Sequence, residues 1–208
     1  MKFFGIDTTR KIAKIFLYDS EEDKRYTLTM GDGVKHSEGL FLYIEKALFE
    51  NKMDIKDFDY YACVIGPGSF TGIRVGMSTI KGFNQVAKKT VVPINTFEIF
   101  ASKYKSGVVL LNSTNTSCYY AKIKGREIID AGVVDKANIK DMLDKETVYI
   151  LAEEQNIIQL EYDNIEVVDT LDDLYIDAVL KKIENNEATE FVPYYLQLSQ
   201  AERNLKND

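Results

Sequence analysis

Apolar and polar positions along the first hundred residues fall into blocks that predict a hairpin followed by helices divided by buried strands. "KFFGIDTT" is an apolar run ending in glycine and aspartate, and "KIAKIFLY" follows with partial alternation. The pair predicts two strands joined by a tight polar turn at residues 7–10. "KRYTLTM" predicts a third antiparallel strand after the charged turn "DSEEDK". "EGLFLYIEKALFENK" predicts a helix with Ser37 as N-cap and Glu38 in its first turn. "YYACVIGPG" reads as a buried strand entering a glycine turn, "FTGIRVGMSTIKGFNQVAKK" as a second helix, and "TVVPINTFEIFASKYK" as a short strand and a further helix.

The order then restarts. "GVVLLNSTNTSCYYAKIKGREI" is again an apolar strand, a short polar turn and an alternating strand. Laid over the start, Asp7-Thr8-Thr9 falls on Asn112-Ser113-Thr114, and the same order of elements twice is a sign of duplication. A boundary at the polar "SKYKSG" divides the chain into a first lobe, 1–104, and a second, 105–208. "TVYILAEE" and "IEVVDT" predict further strands separated by helical stretches. "PYYLQLSQAERNL" predicts a short strand or extended entry and then a terminal helix, placed so that it can return to the first lobe. Hairpins mixed with strand–helix crossovers indicate an α/β protein of two related lobes.

Composition narrows the class. The 208 residues suffice for one large domain or two small ones, and 45% hydrophobic with 28% charged residues suits a soluble globular chain. No apolar run approaches the length that spans a bilayer, and "MKFFGIDTT" turns polar too early for a signal peptide, so a cytoplasmic protein away from membranes is expected. Cys63 and Cys118 lie in apolar surroundings without metal or redox spacing and read as reduced core residues, a lone disulfide being the minor alternative. The net charge of −7 is uneven: residues 151–190 hold twelve acids against Lys181 and Lys182, so everything else sums to +3. Such a surface repels phosphates and argues against an independent RNA binder. The bland reading of the segment is a solvated acidic face.

Three features carry candidate chemistry. A hairpin turn bearing Asp7, Thr8 and Thr9, with Gly68 and Ser69 of the glycine turn, has the residue types that hold phosphate and magnesium in two-lobed phosphotransfer folds; the alternative is a polar turn satisfying its own backbone. The glycine turn itself is no Walker A loop, and Thr71 stands where a dinucleotide fingerprint needs its third glycine. Arg74, one turn into the helix, has a fork suited to an anion or a carboxylate. Gly72 and Gly76 lie four apart on a face that Thr79, Phe83 and Ala87 extend, at about 1 kcal/mol for each interior glycine, and close approach of another helix would compensate. In the first helix Leu40, Phe41, Ile44 and Leu48 form one stripe, with Leu42, Tyr43 and Phe49 round the other side. An element so apolar is either sandwiched within its lobe or meets a partner. Catalytic machinery is thin: His36 is the only histidine, so a histidine metal pair is excluded and no serine–histidine triad is in evident context.

With "GPGSFTGIRVG" after a strand, "GIDTT" at the start, "HSEGLFLYIEKAL" between them and the late "PYYLQLSQAE", the chain resembles the bacterial TsaB (YeaZ) family. The likeness is strong over residues 1–100 and weak over 107–190, where Asn112 stands at the usual acidic position. It implies the duplicated actin/sugar-kinase/Hsp70-like fold and a non-catalytic accessory subunit. With a TsaD-like catalytic protein and a TsaE-like ATPase, that subunit serves threonylcarbamoyl transfer to the adenosine beside the anticodon. It also implies pairing, with the partner or as a homodimer, through helices at 38–51 and 70–88. The expected interface is Leu40, Phe41, Ile44, Leu48, Gly72, Arg74, Val75, Gly76, Thr79 and Phe83. No cofactor or metal of its own is expected; ATP or ADP would bind only at a site shared with the partner, and tRNA would be reached through the complex. The rival is a small ATP- and magnesium-dependent phosphotransfer enzyme or hydrolase built on Asp7, Thr8 and Thr9.

Overall fold

The computed structural model describes residues 1–186 and 190–197, so the terminal helix expected after the "PYYLQL" stretch lies outside the described residues. The chain forms two α/β units: Met1–Thr96 with Asp172–Tyr194, and Phe97–Leu171 with Tyr195–Asp208.

The first unit is built on β1 (Lys2–Asp7), β2 (Lys14–Asp19), β3 (Lys24–Thr29), β4 (Tyr60–Val64) and β5 (Thr90–Ile94) in the order β3-β2-β1-β4-β5. β1, β2 and β3 pair antiparallel in sequence, whereas β4 lies parallel to β1 and β5 parallel to β4. The apolar runs of β1 and β4 are buried almost throughout, as central strands covered on both faces must be. On one face Phe4, Ile6, Ile15 and Leu17 pack with Leu40 and Ile44 of α1 (His36–Asn51) and with Ile73, Met77 and Ile80 of α2 (Phe70–Ala87). Ser69 caps α2 by accepting from the Gly72 amide. Ser37, expected to cap α1, lies inside its first turn; Lys35 holds the extended cap position and its ammonium pairs with Glu38 at 3.0 Å.

The second unit repeats the plan. β6 (Ser106–Asn112), β7 (Ser117–Lys124) and β8 (Glu127–Asp135) form an antiparallel meander, and β9 (Val148–Leu151) and β10 (Ile165–Val168) add in parallel, giving β8-β7-β6-β9-β10. Strand for strand this is the topology of the first sheet, and Asp7 and Asn112 are the last residues of corresponding strands. Val108, Leu110, Val148 and Ile150 pack against Ile139 of α4 (Ile139–Met142) and Ile158 of α5 (Ala152–Ile158). α3 (Thr96–Lys103) supplies the buried Phe97, Ile99 and Phe100 to this unit.

Contacts divide the chain differently from the expected split at 104/105. α6 (Asp172–Glu184) belongs to the first unit, not the second. Its apolar side, Leu174, Tyr175, Ile176, Ala178 and Val179, is buried, and the Tyr175 ring stacks on Phe16 of β2 at 5.0 Å. Phe16 in turn lies over Gly5, where a side chain would collide with the ring. Two of the acids read as a solvated face pair with β2 and β3: Asp172 with Lys14 and Asp177 with Arg25, each at 2.7 Å. Period-3.6 apolar positions give α6 the face that it buries on the first unit.

Both cysteines are free and buried, one in each unit, so the disulfide alternative falls. Burial holds the Cys63 thiol far above its usual range, with Asp7 adding to the effect; burial also pushes Cys118 up to about 11. The native protein at pH 8 is therefore expected to resist thiol reagents, with both groups reacting once denaturant is added. Rapid modification of either thiol without denaturant contradicts this packing.

Candidate functional site

The turn after β1 starts fully enclosed: Asp7 and Thr8 are 0% exposed and Thr9 2%. One Asp7 carboxylate oxygen accepts from both the amide and the hydroxyl of Thr9, at 2.7 Å each. The other accepts from the Tyr175 hydroxyl at 2.7 Å. A buried carboxylate is tolerable only when hydrogen-bonded in this way, and charge makes such bonds strong. Burial first, and the neighbouring Asp7 charge second, hold the Tyr175 hydroxyl well above the usual phenol range, so it remains a donor.

The turn then runs directly onto α2. Thr8 Oγ1 donates to the Gly72 carbonyl at 2.7 Å, and the Ser69 amide donates to the Thr9 carbonyl at 2.7 Å. A side chain at Gly72 would collide with the Thr8 carbonyl oxygen, one at Gly76 with Thr8 Oγ1, and one at Gly68 with the Thr9 carbonyl oxygen.

These contacts correct two expectations. At Gly72 and Gly76 the bare groove of α2 receives the chain's own β1 turn rather than a partner helix, and Thr79 is buried as well. Nor does the turn present a phosphate cradle. The Ser69 and Gly72 amides already donate to Thr9 and Ser69, and the Asp7 oxygens to which a cation would bind already accept three hydrogen bonds. The residues present do not fit a magnesium–phosphate group. Among the described residues there is also no group of three or more His, Cys, Asp or Glu placed to hold a metal ion. His36 lies partly exposed with a ring nitrogen 3.1 Å from the Lys11 carbonyl.

The helices divide the remaining expected interface residues. Leu40 and Ile44 belong to the core; Leu48, Val75 and Phe83 are half-buried; Phe41 and Arg74 are exposed. The exposed large apolar side chains of these two helices are instead Phe41, Leu42 and Phe49 of α1, at 62%, 66% and 82%, and Val86 of α2 at 75%. At 100° per residue Phe41, Leu42 and Phe49 fall within one arc of α1, opposite Leu40, Ile44 and Ala47. Phe41 meets Phe83 edge-to-face, with centroids 6.2 Å apart, which carries the patch from α1 onto α2. Val86 has no counterpart in the sequence reading. Its signal was available, since it lies three residues beyond Phe83 and so on the same side of the helix.

The family model described as "TsaD: tRNA N6-adenosine threonylcarbamoyltransferase" matches residues 32–166. The chain is 28% identical to the tRNA N6-adenosine threonylcarbamoyltransferase of Persephonella marina over 49% of its own length and 35% of that protein. It is 29% identical to the tRNA threonylcarbamoyladenosine biosynthesis protein TsaB of Buchnera aphidicola subsp. Schizaphis graminum, over 51% of its own length and 52% of the relative. The matches thus span between about a third and a half of these relatives. In fold it is similar to YeaZ from Pseudomonas aeruginosa: TM-score 0.73, 14% identity, covering 94% of this chain and 99% of that one. With the family model matched over more than half of its length, the chain belongs to the tRNA N6-adenosine threonylcarbamoyltransferase (TsaD) family, and it is similar to TsaB in sequence and to YeaZ in fold.

Proposed function

We propose that this chain is a non-catalytic accessory subunit in the synthesis of threonylcarbamoyladenosine in tRNA, pairing with a TsaD-like catalytic protein and working alongside a TsaE-like ATPase. The observation that carries the reading is the exposed patch of Phe41, Leu42, Phe49 and Val86 on α1 and α2. Large apolar side chains exposed together on one side of two packed helices are what a protein interface covers. Burying each of these side chains contributes about 1.5–3 kcal/mol, enough to anchor an interface whose rim supplies the remaining contacts. The names carried by its relatives, TsaB and the threonylcarbamoyltransferase, supply the reaction in which such a pairing would serve.

The mechanism is thermodynamic. A subunit that binds the active arrangement of its partner more tightly than the inactive one shifts the partner toward activity by that difference. In the partner's absence the same surface pairs two copies about a two-fold axis. Nucleotide, where bound, sits at a site completed by the partner, and tRNA is reached through the complex. A cytoplasmic location follows from that substrate.

The test is threonylcarbamoylation of tRNA in a mixture of purified subunits, with and without this chain. Omission is expected to abolish modification, and restoring the chain to recover it in proportion to the amount added. Modification proceeding at full rate without it removes the proposal.

A further inference from the structure

We propose that the Asp7 carboxylate is the seat of a latch that holds α6 on the first unit, and that this latch closes the turn to divalent cations and phosphate. The chain leaves the first unit at Thr96, builds the second unit through Leu171, and only then supplies α6 to the first. A helix returning from so far along the chain needs something that specifies its register, which apolar packing alone does poorly because sliding by one turn still buries apolar surface.

Asp172, Tyr175, Val179 and Lys182 recur at helical spacing and share one side of α6. Three of them make polar anchors within the first unit. Asp172 pairs with Lys14 of β2 at 2.7 Å, Tyr175 donates to Asp7 at the end of β1 at 2.7 Å, and the Lys182 ammonium donates to the Pro93 carbonyl of β5 at 2.9 Å. The central anchor is the most deeply buried, with Asp7 at 0% and Tyr175 at 1% exposure. A cation reaching Asp7 would compete with the Tyr175 hydroxyl and with Thr9 for the enclosed carboxylate oxygens, and an exchange that moved Tyr175 would release the central anchor of α6. The residue type that suggests nucleotide chemistry in the sequence serves here to position a helix. This inference concerns the chain's own unit and does not depend on the proposed role in tRNA modification.

Hydrogen exchange on the full-length protein tests it. Tyr175→Phe keeps the ring that stacks on Phe16 and removes only the donor. Amides of α6 are expected to exchange about tenfold faster in this variant, while those of α1 keep their wild-type rates. Calorimetric titration of the wild type with magnesium and ATP is expected to give no binding that Asp7→Asn removes. Unchanged exchange in α6 overturns the latch. Equal acceleration in α1 and α6 overturns it as well, because the hydroxyl would then contribute only general stability. Submillimolar binding of magnesium and ATP by the wild type, lost in Asp7→Asn, overturns the closed turn and favours the phosphotransfer reading.

Discussion

Gly72→Ala is expected to leave the chain unfolded, or less stable by about 3 kcal/mol or more. The added methyl would collide with the Thr8 carbonyl oxygen, a backbone atom that cannot rotate away. Moving it would pull on β1 and on the hydrogen bond from Thr8 Oγ1 to the Gly72 carbonyl, and beyond these on the Asp7 turn. Gly76→Leu is expected to fail too, because its bulk would enter the space filled by Thr8 Oγ1 and break that hydroxyl's bond to the Gly72 carbonyl. Had these glycines been a seat for another polypeptide, both variants would give folded monomers. Gly82→Ala is the control within the same helix: Gly82 is exposed, with nothing within 4 Å of an added methyl, so the variant is expected to gain up to about 1 kcal/mol from helix propensity. Urea unfolding of the three variants reads all of these effects. A Gly72→Ala protein as stable as the wild type would mean that the turn does not occupy the groove.

Phe41→Asp combined with Phe49→Asp is expected to weaken pairing with a TsaD-like partner, and any self-association, by at least about a hundredfold while leaving the chain folded. Both phenyl groups stand mostly in solvent in the isolated chain, so little native packing is lost; the edge-to-face contact of Phe41 with Phe83 is worth about 0.5–1.5 kcal/mol. In a complex the same positions would place carboxylates in a desolvated apolar interface, at far greater cost. Sedimentation and calorimetry with the purified partner measure the loss, and thermal unfolding confirms that the fold survives. Undiminished pairing would mean that the interface lies elsewhere, and with it the observation behind the proposed function would go.

The outer patch is partly legible in the amino-acid order. The circumference of the first helix is apolar on most sides, which is more than one core-facing stripe requires, and Phe41 is among the residues expected at an interface. Which stripe faces in is not legible there. Leu40, Phe41, Ile44 and Leu48 read as one face, and the helix divides them: Leu40 and Ile44 go to the core, while Phe41 joins Leu42 and Phe49 outside. Periodicity reports that faces exist, but the phase between face and core is set by how the helix lies on the sheet. The α2 glycines illustrate the same limit. Their spacing announces that something must approach closely, and only the path of the β1 turn shows that the visitor is Thr8 of the same chain.

What the amino-acid order determined by itself was local and repetitive: strands from short apolar runs, helices from 3.6-residue periodicity, and a plan used twice, now visible as two sheets of one topology. These follow from backbone geometry and side-chain patterning over a few neighbours. Which residues meet across long separations was settled in three dimensions. Asp7 is matched to Tyr175, whose ring stacks on Phe16, while α6 joins a unit whose strands all end before residue 97. Such pairings rest on shape and on the satisfaction of buried polar groups in three dimensions, and neither leaves a periodic trace in one.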